Sequence, residues 1–520
     1  MSLADQLRFA RSQSEFLDSQ FQTSSALRVL EIARERVIDF TRATERGLLR
    51  FLMARETLSL RRDAFRLLLH IRARDGTPDV TEHLWEWLVS GAGSSTTSKG
   101  SFHARRADAE IAASLMSAKP DATSPVFGRE LLSLLVDDGG AYGDRAIQTH
   151  PDLRVFQHSL PPETLVLARI DGGEEAALML ISNTAVRVVA GPSTDELAAP
   201  ISILRDALRS RTATSDAITV AADRVSRTLL GALIGQPQPS RLLIVADGLT
   251  ETIPWPLIPW PGHSSPLVFA STAEVVVPSA ENFEREAGDS KSLDIVAMSH
   301  GNGRQPELAG MASEVLSIGK AISGHAAIRR ITTREEIMDA LSRVGGWTHI
   351  AGHGFAKPSL LGHAGLWLDP VAPSSAPEFL GWLDILDRGV GADLVVLNAC
   401  ELGDSGDAIV GNPSFASAVS HAGAKQVVAA MWPVSDGASA VWVPAFYRTL
   451  IADPEHDAAP ALRAAELELR STRMFRDPFY WAGLQTYTRL VIPSSLRPAA
   501  RPLESESVGV AQPSQMERAR

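Results

Sequence analysis

The stretch Leu394-Val-Val-Leu-Asn-Ala-Cys400-Glu-Leu-Gly403 decides the fold class of this 520-residue chain. An apolar run that ends at a turn is typical of a buried strand in a parallel sheet. Ligands and reactive side chains gather beyond the carboxyl ends of such strands. Cys400, the only cysteine of the chain, lies at that end. Taken alone, however, a cysteine in an apolar strand is usually a small buried hydrophobic residue.

Outward from this stretch, short apolar segments alternate with helical patterns from about residue 155 to residue 490. The other predicted strands cover residues 164–170, 176–182, 185–190, 241–246, 274–277, 293–298, 348–351, 425–430 and 483–488. Residues 357–378 are rich in Gly, Pro and Ser and are predicted to form a loop. Strands that alternate with helices indicate an α/β fold with a mostly parallel sheet and helices on both faces.

The N-terminal 90 residues have a different pattern. Ala26, Leu30, Ala33 and Val37 recur at spacings of three and four, which predicts an all-helical region at 1–90. Residues 91–154 are predicted to form a linker and connector, and the polar residues 496–520 a disordered tail. Residues 1–74 contain 14 Arg, no Lys and 9 acidic residues. This basic start is typical of a solvated helical face, with a docking surface for an acidic partner or nucleic acid as the alternative.

Composition excludes several classes of protein. The net charge of −11 makes nucleic acid an unlikely partner. A single cysteine rules out an internal disulfide framework and fits a reducing compartment, so we expect a cytoplasmic location. Long apolar runs are absent, so no membrane span is expected. The scattered histidines and lone cysteine predict no metal site and no cofactor.

A second strand end carries the partner that a reactive thiol needs. His353 follows the predicted strand 348–351 and precedes Cys400 by 47 residues. A neutral imidazole can accept the proton of a thiol, and the resulting thiolate is a strong nucleophile. Gly354 would let the backbone approach a substrate carbonyl closely. The amides of Gly354 and Cys400 are therefore candidates for an oxyanion hole.

Three segments together resemble the core motifs of the CHAT domain, a bacterial branch of the caspase-like cysteine peptidases related to separase. They are His349-Ile-Ala-Gly-His353-Gly354, Val395-Val-Leu-Asn-Ala-Cys400-Glu-Leu-Gly403 and Ala422-Gly-Ala-Lys-Gln-Val-Val-Ala-Ala-Met-Trp432-Pro-Val-Ser-Asp436. Weaker similarities extend over about 155–490, among them Asp247-Gly-Leu-Thr-Glu-Thr-Ile-Pro-Trp255 and Leu308-Ala-Gly-Met-Ala-Ser-Glu-Val315.

The resemblance implies a caspase-like cysteine endopeptidase with Cys400 as nucleophile and His353 as base. It implies an inactive caspase-like half at 155–285 beside an active half at 286–495. Trp432, Ser435 and Asp436 would bind substrate in the S1 pocket, where the Asp436 carboxylate would pair a basic P1 residue. The expected partners are a protein substrate and a regulatory or sensor protein that contacts residues 1–90. Relatives act in regulated bacterial stress responses such as phage defence.

Several residues keep an alternative interpretation. Asp436 would equally cap the helix that follows it, and Asp404 and Asp407 would form a turn or line the substrate groove. His349 is expected to be a core histidine. The whole chain would alternatively be a catalytically silent scaffold for protein binding, or an acyltransferase that uses the same thioester chemistry.

Overall fold

The architecture comes from a computed structural model of the 520-residue chain. It describes residues 3–43, 47–75, 79–90, 152–210, 213–278, 292–298, 307–308, 310–323, 325, 327–356, 364–369, 378–400, 402–404, 414–433 and 435–490. The predicted tail at 496–520 and almost all of the predicted linker and connector at 91–154 lie outside these residues.

The N-terminal region consists of helices. They are α1 (Leu3–Ser19), α2 (Thr23–Ala43), α3 (Gly47–Asp75) and α4 (Asp79–Ser90). On α2 the residues spaced by three and four, such as Ala26 and Leu30, are buried, because this spacing places them on one stripe of the helix. The prediction of an all-helical region is confirmed for the part of 1–90 that the structure describes.

The rest of the chain alternates between strands and helices. The described strands are β1 (Thr164–Asp171), β2 (Ala176–Ile181), β3 (Val186–Ala190), β4 (Arg241–Val245), β5 (Thr272–Pro278), β6 (Ser292–Ala297), β7 (Ala327–Ile331), β8 (Trp347–Ala356), β9 (Ala364–Leu368), β10 (Glu378–Gly381), β11 (Leu394–Ala399), β12 (Gln426–Ala430) and β13 (Leu484–Leu490). The described helices after α4 are α5 (Leu153–Ser159), α6 (Thr194–Arg209), α7 (Ser215–Leu230), α8 (Met311–Ala321), α9 (Arg334–Ser342), α10 (Trp382–Arg388), α11 (Phe415–His421), α12 (Asp436–Ala452) and α13 (Ala458–Ser471).

All of the described strands join a single sheet. Its order is β3-β2-β1-β4-β5-β13-β12-β11-β8-β6-β7, and β9 and β10 continue from the far end of β8. Most neighbouring strands are parallel, including β8 with β11 and β11 with β12. The parallel pairing of β13 with β5 joins the N-terminal strands to the C-terminal ones. The predicted fold class, a mostly parallel α/β sheet preceded by a helical region, is confirmed.

The N-terminal helices form one layer of this fold. Alternate residues of β1 point to opposite faces of the sheet, and Leu167 lies in the main core with α6 and α7. Val166 and Ile170 instead pack against α2, α3 and α4 in a second core. A Cβ on Gly172 would lie 2.9 Å from the backbone of Arg66 in α3. The helical region therefore covers an apolar face of the sheet.

Some strand predictions need correction. The strand predicted at 348–351 continues to Ala356, so His353 lies within β8 rather than just beyond its end. The extension exists because residues 353–356 pair with β9, which lies in the predicted loop 357–378. β7 was also missed, because its sequence Ala-Ile-Arg-Arg-Ile breaks the apolar pattern. As an edge strand, β7 tolerates the two arginines.

Candidate active site

The sheet places the backbones of His353 and Cys400 side by side. Gly352 of β8 is in register with Ala399 of β11, and His353 and Cys400 are the next residues on these parallel neighbours. Neighbouring strands lie about 4.8 Å apart, and residues in register point to the same face. His353 is buried and Cys400 is half-buried. The backbones of the two candidate residues therefore lie next to each other on adjacent strands.

Gly354 lies against the backbone of the cysteine. A Cβ at this position would overlap the carbonyl oxygen of Cys400 and would lie 3.0 Å from Cγ of Leu402. Only glycine allows two backbones to approach this closely. The two segments whose amides were predicted to form an oxyanion hole are thus in direct contact.

The turn after Cys400 is anchored to several elements. The carbonyl of Leu402 accepts the Ala416 N–H at 2.9 Å, which ties the turn to α11. The Gly403 N–H donates to the carbonyl of Ala430 at 2.8 Å. The hydroxyl of Tyr487, from β13, donates to the carbonyl of Gly403, also at 2.8 Å. These bonds fix the chain immediately beyond the cysteine.

Asp404 completes the set of anchors in a way that the sequence did not predict. Its buried carboxylate pairs with Arg205 and Arg209 at the end of α6. It therefore holds the turn against another element rather than lining an open groove. Asp407, the second acidic residue of the predicted turn, lies outside the described residues.

A buried polar network lies beneath the two strand ends. His349 Nε2 lies 2.8 Å from Glu314 Oε1 and His349 Nδ1 lies 3.0 Å from the hydroxyl of Tyr447. The side-chain amide of Asn398 donates to the same Glu314 oxygen at 2.7 Å and to Ser439 Oγ at 3.1 Å. Burial raises the pKa of Tyr447 well above its usual value. The Tyr447 phenol therefore stays protonated, and its O–H can donate a hydrogen bond to His349 Nδ1. In this arrangement, the Nε2–H of His349 donates a hydrogen bond to Glu314.

The prediction that His349 is a core histidine is confirmed, because its side chain is fully buried. The network as a whole was missed from the sequence. The signal was a polar residue inside an apolar segment: Glu314 in α8 and Asn398 in β11. Such residues are usually buried with partners from other elements, and those partners cannot be read from local sequence.

The residues predicted to bind substrate lie around the start of α12. Trp432 is buried, and its indole N–H donates to the carbonyl of Phe479 at 2.8 Å. A pocket of about 240 Å³, counted with the solvent at its mouth, has Trp432, Ser435 and Tyr480 among its lining residues. Asp436 is exposed and is not among the described residues that line this pocket.

The alternative that Asp436 caps α12 is wrong. Ser435 occupies the N-cap position, and Asp436 is the first residue of the helix. The Asp436 carboxylate instead accepts the N–H of Gly310, at the start of α8, at 3.3 Å. This contact places a carboxylate between the N-terminal ends of two helices, where negative charge is stabilised.

Glu251 makes the stability of this region depend on pH. Burial raises the pKa of Glu251 to about 7, although Ser417 Oγ and the Gly248 N–H donate to its carboxylate. The folded protein therefore binds more protons than the unfolded chain between about pH 4.5 and 7, so stability falls as pH rises through this range, by up to about 3 kcal/mol.

We expect Glu251→Gln to flatten this dependence, because an amide does not ionise. Urea denaturation at pH 5 and pH 8 measures the effect as a difference in unfolding free energy. Glu468→Gln, at a half-exposed position on α13, controls for the loss of one negative charge. Parallel pH profiles for the wild type and Glu251→Gln would contradict the prediction.

Comparisons with known proteins agree with the motifs. The family model described as CHAT domain matches residues 217–489. Tetratricopeptide repeat protein 28 of mouse is 33% identical over 116 residues, which is 22% of this chain and 5% of that protein. The human protein of the same name matches to the same extent. The chain thus spans only a small part of the length of these curated relatives.

Two solved structures are also similar to this chain. The structure of the Saccharomyces cerevisiae separase–securin complex has a TM-score of 0.47 and 9% identity, covering 94% of this chain and 40% of that one. The Porphyromonas gingivalis complex of the RgpB pro- and mature domains has a TM-score of 0.35 and 13% identity, covering 57% of this chain and 71% of that one.

The described residues contain no candidate for a membrane span or for a metal-binding cluster. None of their helices combines the length and the apolar character needed to cross a membrane. Within the same residues, no group of three or more His, Cys, Asp or Glu side chains is arranged to hold a metal ion.

Proposed function

Because this chain belongs to the CHAT domain family, we propose that it is a caspase-like cysteine endopeptidase that cleaves a partner protein with Cys400 and His353. The observation that carries the proposal is that His353 lies in β8 and Cys400 directly follows β11, its parallel neighbour. His353 takes the thiol proton, and Cys400 Sγ bonds to the scissile carbonyl carbon. The peptide C–N bond then breaks, and the amine leaves with the proton from His353. Water hydrolyses the thioester and restores the thiol.

We expect Cys400→Ala and His353→Ala to lower peptide cleavage by at least about 10³-fold. Labelling of Cys400 by iodoacetamide should rise with pH in the wild type, and His353→Ala should alter this profile. His349→Gln, in the buried network behind His353 and Cys400, is the control that tests whether loss of any buried histidine abolishes cleavage.

An unlabelled Cys400 together with no cleavage would favour the alternative of a silent scaffold. Transfer of the acyl group to an amine would instead indicate an acyltransferase.

Substrate preference is a further part of the proposal. Asp436 carries an exposed carboxylate beside the pocket lined by Trp432 and Ser435. We propose that the Asp436 carboxylate forms an ion pair with an Arg or Lys at P1 of the substrate. The P1 side chain would either replace the Gly310 N–H as the partner of this carboxylate or bind beside it. A peptide library tests this preference. Equal cleavage after acidic and basic residues would remove Asp436 from this role.

We also propose that the enzyme acts in a regulated response of a bacterial cytoplasm, with residues 1–90 contacting a regulatory protein. The single cysteine of the chain and the exposed Phe9 and Phe16 of α1 support this proposal. Deleting residues 1–90 would also remove a layer of the fold, so a deletion does not test this role alone.

The better test is a Phe9→Ser/Phe16→Ser variant. The proposed contact with a regulatory protein is wrong if both the activity and the set of co-purifying proteins are unchanged.

A further inference from the structure

The nucleophile turn is held by a helix from outside the half that carries the dyad. Asp404 lies four residues beyond Cys400, and its side chain is only 4% exposed. Arg205 pairs with one carboxylate oxygen and Arg209 with the other. The two arginines are four residues apart on α6, so they extend from the same helix face. Two charge-assisted contacts from one face fix the carboxylate in position as well as in charge.

The helix that carries these arginines is itself fixed at its other end. Thr194, its first residue, donates to Asp171 at 2.6 Å and accepts from Arg169 at 3.1 Å. Arg169 in turn pairs with Asp247 at 2.6 Å. Five apolar residues of α6 are buried between its ends: Leu197, Pro200, Ile201, Leu204 and Leu208. The helix is therefore anchored by ionic contacts at both ends and by an apolar face between them.

Among the anchors of the turn described above, Asp404 is the one that depends on charge. Leu402 and Gly403 are held by backbone groups and one phenol, whereas Asp404 is a buried carboxylate that needs its cations. Removing one partner of a buried ion pair leaves an uncompensated charge, which drives the group toward water or toward protonation. Either change would move the segment that follows Cys400.

We propose that Arg205 and Arg209 are positioning residues for the nucleophile, acting through Asp404 to hold the Cys400 turn against His353. The inference rests on the proposed role of Cys400 in peptide cleavage. It gives the half at 155–285, which carries neither dyad residue, a direct part in the geometry of the reaction.

The test compares Arg205→Met/Arg209→Met and Asp404→Asn with the wild type. We expect kcat to fall by at least about tenfold with a smaller change in KM, because a displacement of about 1 Å is costly to a positioned nucleophile. In these variants, the dependence on pH of the rate at which iodoacetamide alkylates Cys400 should also differ from that of the wild type. Arg227→Met is the matched control, because Arg227 pairs with Asp223 on the exposed face of α7.

A purely structural role would lower the melting temperature and leave kcat per folded molecule unchanged. A folded double variant with kcat and alkylation profile within about twofold of the wild type would therefore overturn the proposal. If that variant does not fold, Arg205→Lys/Arg209→Lys keeps the charges but loses the planar fork of donors. A kcat of this Lys variant that lies between the wild-type value and zero supports the proposal. A kcat equal to that of the wild type overturns it.

Alkylation separates this inference from the proposed function, because it needs no peptidase activity. If the wild type cleaves no peptide but the Arg variants still change the alkylation profile of Cys400, the proposed function fails and the positioning role stands. If the wild type cleaves peptide and the variants behave like it in both assays, only the positioning role fails.

Discussion

Substituting alanine for Gly354 is expected to reduce peptide cleavage by at least about 10²-fold. The added Cβ would overlap the carbonyl oxygen of Cys400 and would lie 3.1 Å from its carbonyl carbon. Both atoms belong to the backbone, so no side-chain rotation can relieve the overlap. The ends of β8 and β11 must move apart, which separates His353 from Cys400.

The measurement is kcat/KM together with the alkylation rate of Cys400. Gly231→Ala is the matched control, because a Cβ there meets nothing within 4 Å and its backbone is right-handed helical. Activity of Gly354→Ala within about threefold of the wild type would show that the strand ends need not stay in contact for catalysis.

Substituting alanine for Glu314 is expected to lower the free energy of unfolding by about 3–5 kcal/mol, because two buried donors lose their acceptor. The side chains of His349 and Asn398 both meet the same Glu314 oxygen. These three residues come from α8, β8 and β11, so the loss affects several elements at once. Glu314→Gln keeps one acceptor oxygen and should lose less.

Chemical denaturation of Glu314→Ala, Glu314→Gln and the wild type measures this effect. Glu335→Ala is the control, since Glu335 lies on α9 with a 75% exposed side chain and pairs only at the surface with Arg388. Its expected change is within about 0.5 kcal/mol. Equal losses for Glu314→Ala and Glu335→Ala would show that the network adds nothing to stability.

The sequence was sufficient for the features that depend on local pattern. Apolar β-branched runs identified β11 and β12, because a strand buried on both faces consists mostly of apolar residues. The histidine and cysteine motifs were each placed at the end of a strand. The structure shows that these two strands, β8 and β11, are parallel neighbours.

Features that depend on distant partners were not predictable in this way. β9 lies where Gly, Pro and Ser suggested a loop, and it is a strand because it pairs with β8 on one side and with β10 on the other. Arg205 and Arg209 have the spacing of ordinary solvated charges on a helix. Only the fold shows that both meet Asp404, 199 and 195 residues away along the chain.

The position of β13 sets the order in which the protein can be completed during synthesis. β13 follows every other described strand along the chain, yet it lies between β12 and β5 in the middle of the sheet. A growing chain therefore contains His353 and Cys400 before it contains the strand that joins its two groups of strands. Tyr487, which holds Gly403 in the turn after Cys400, arrives with that last strand. A chain that ends between residues 401 and 483 contains His353 and Cys400 but lacks both β13 and the Tyr487 bond to the turn.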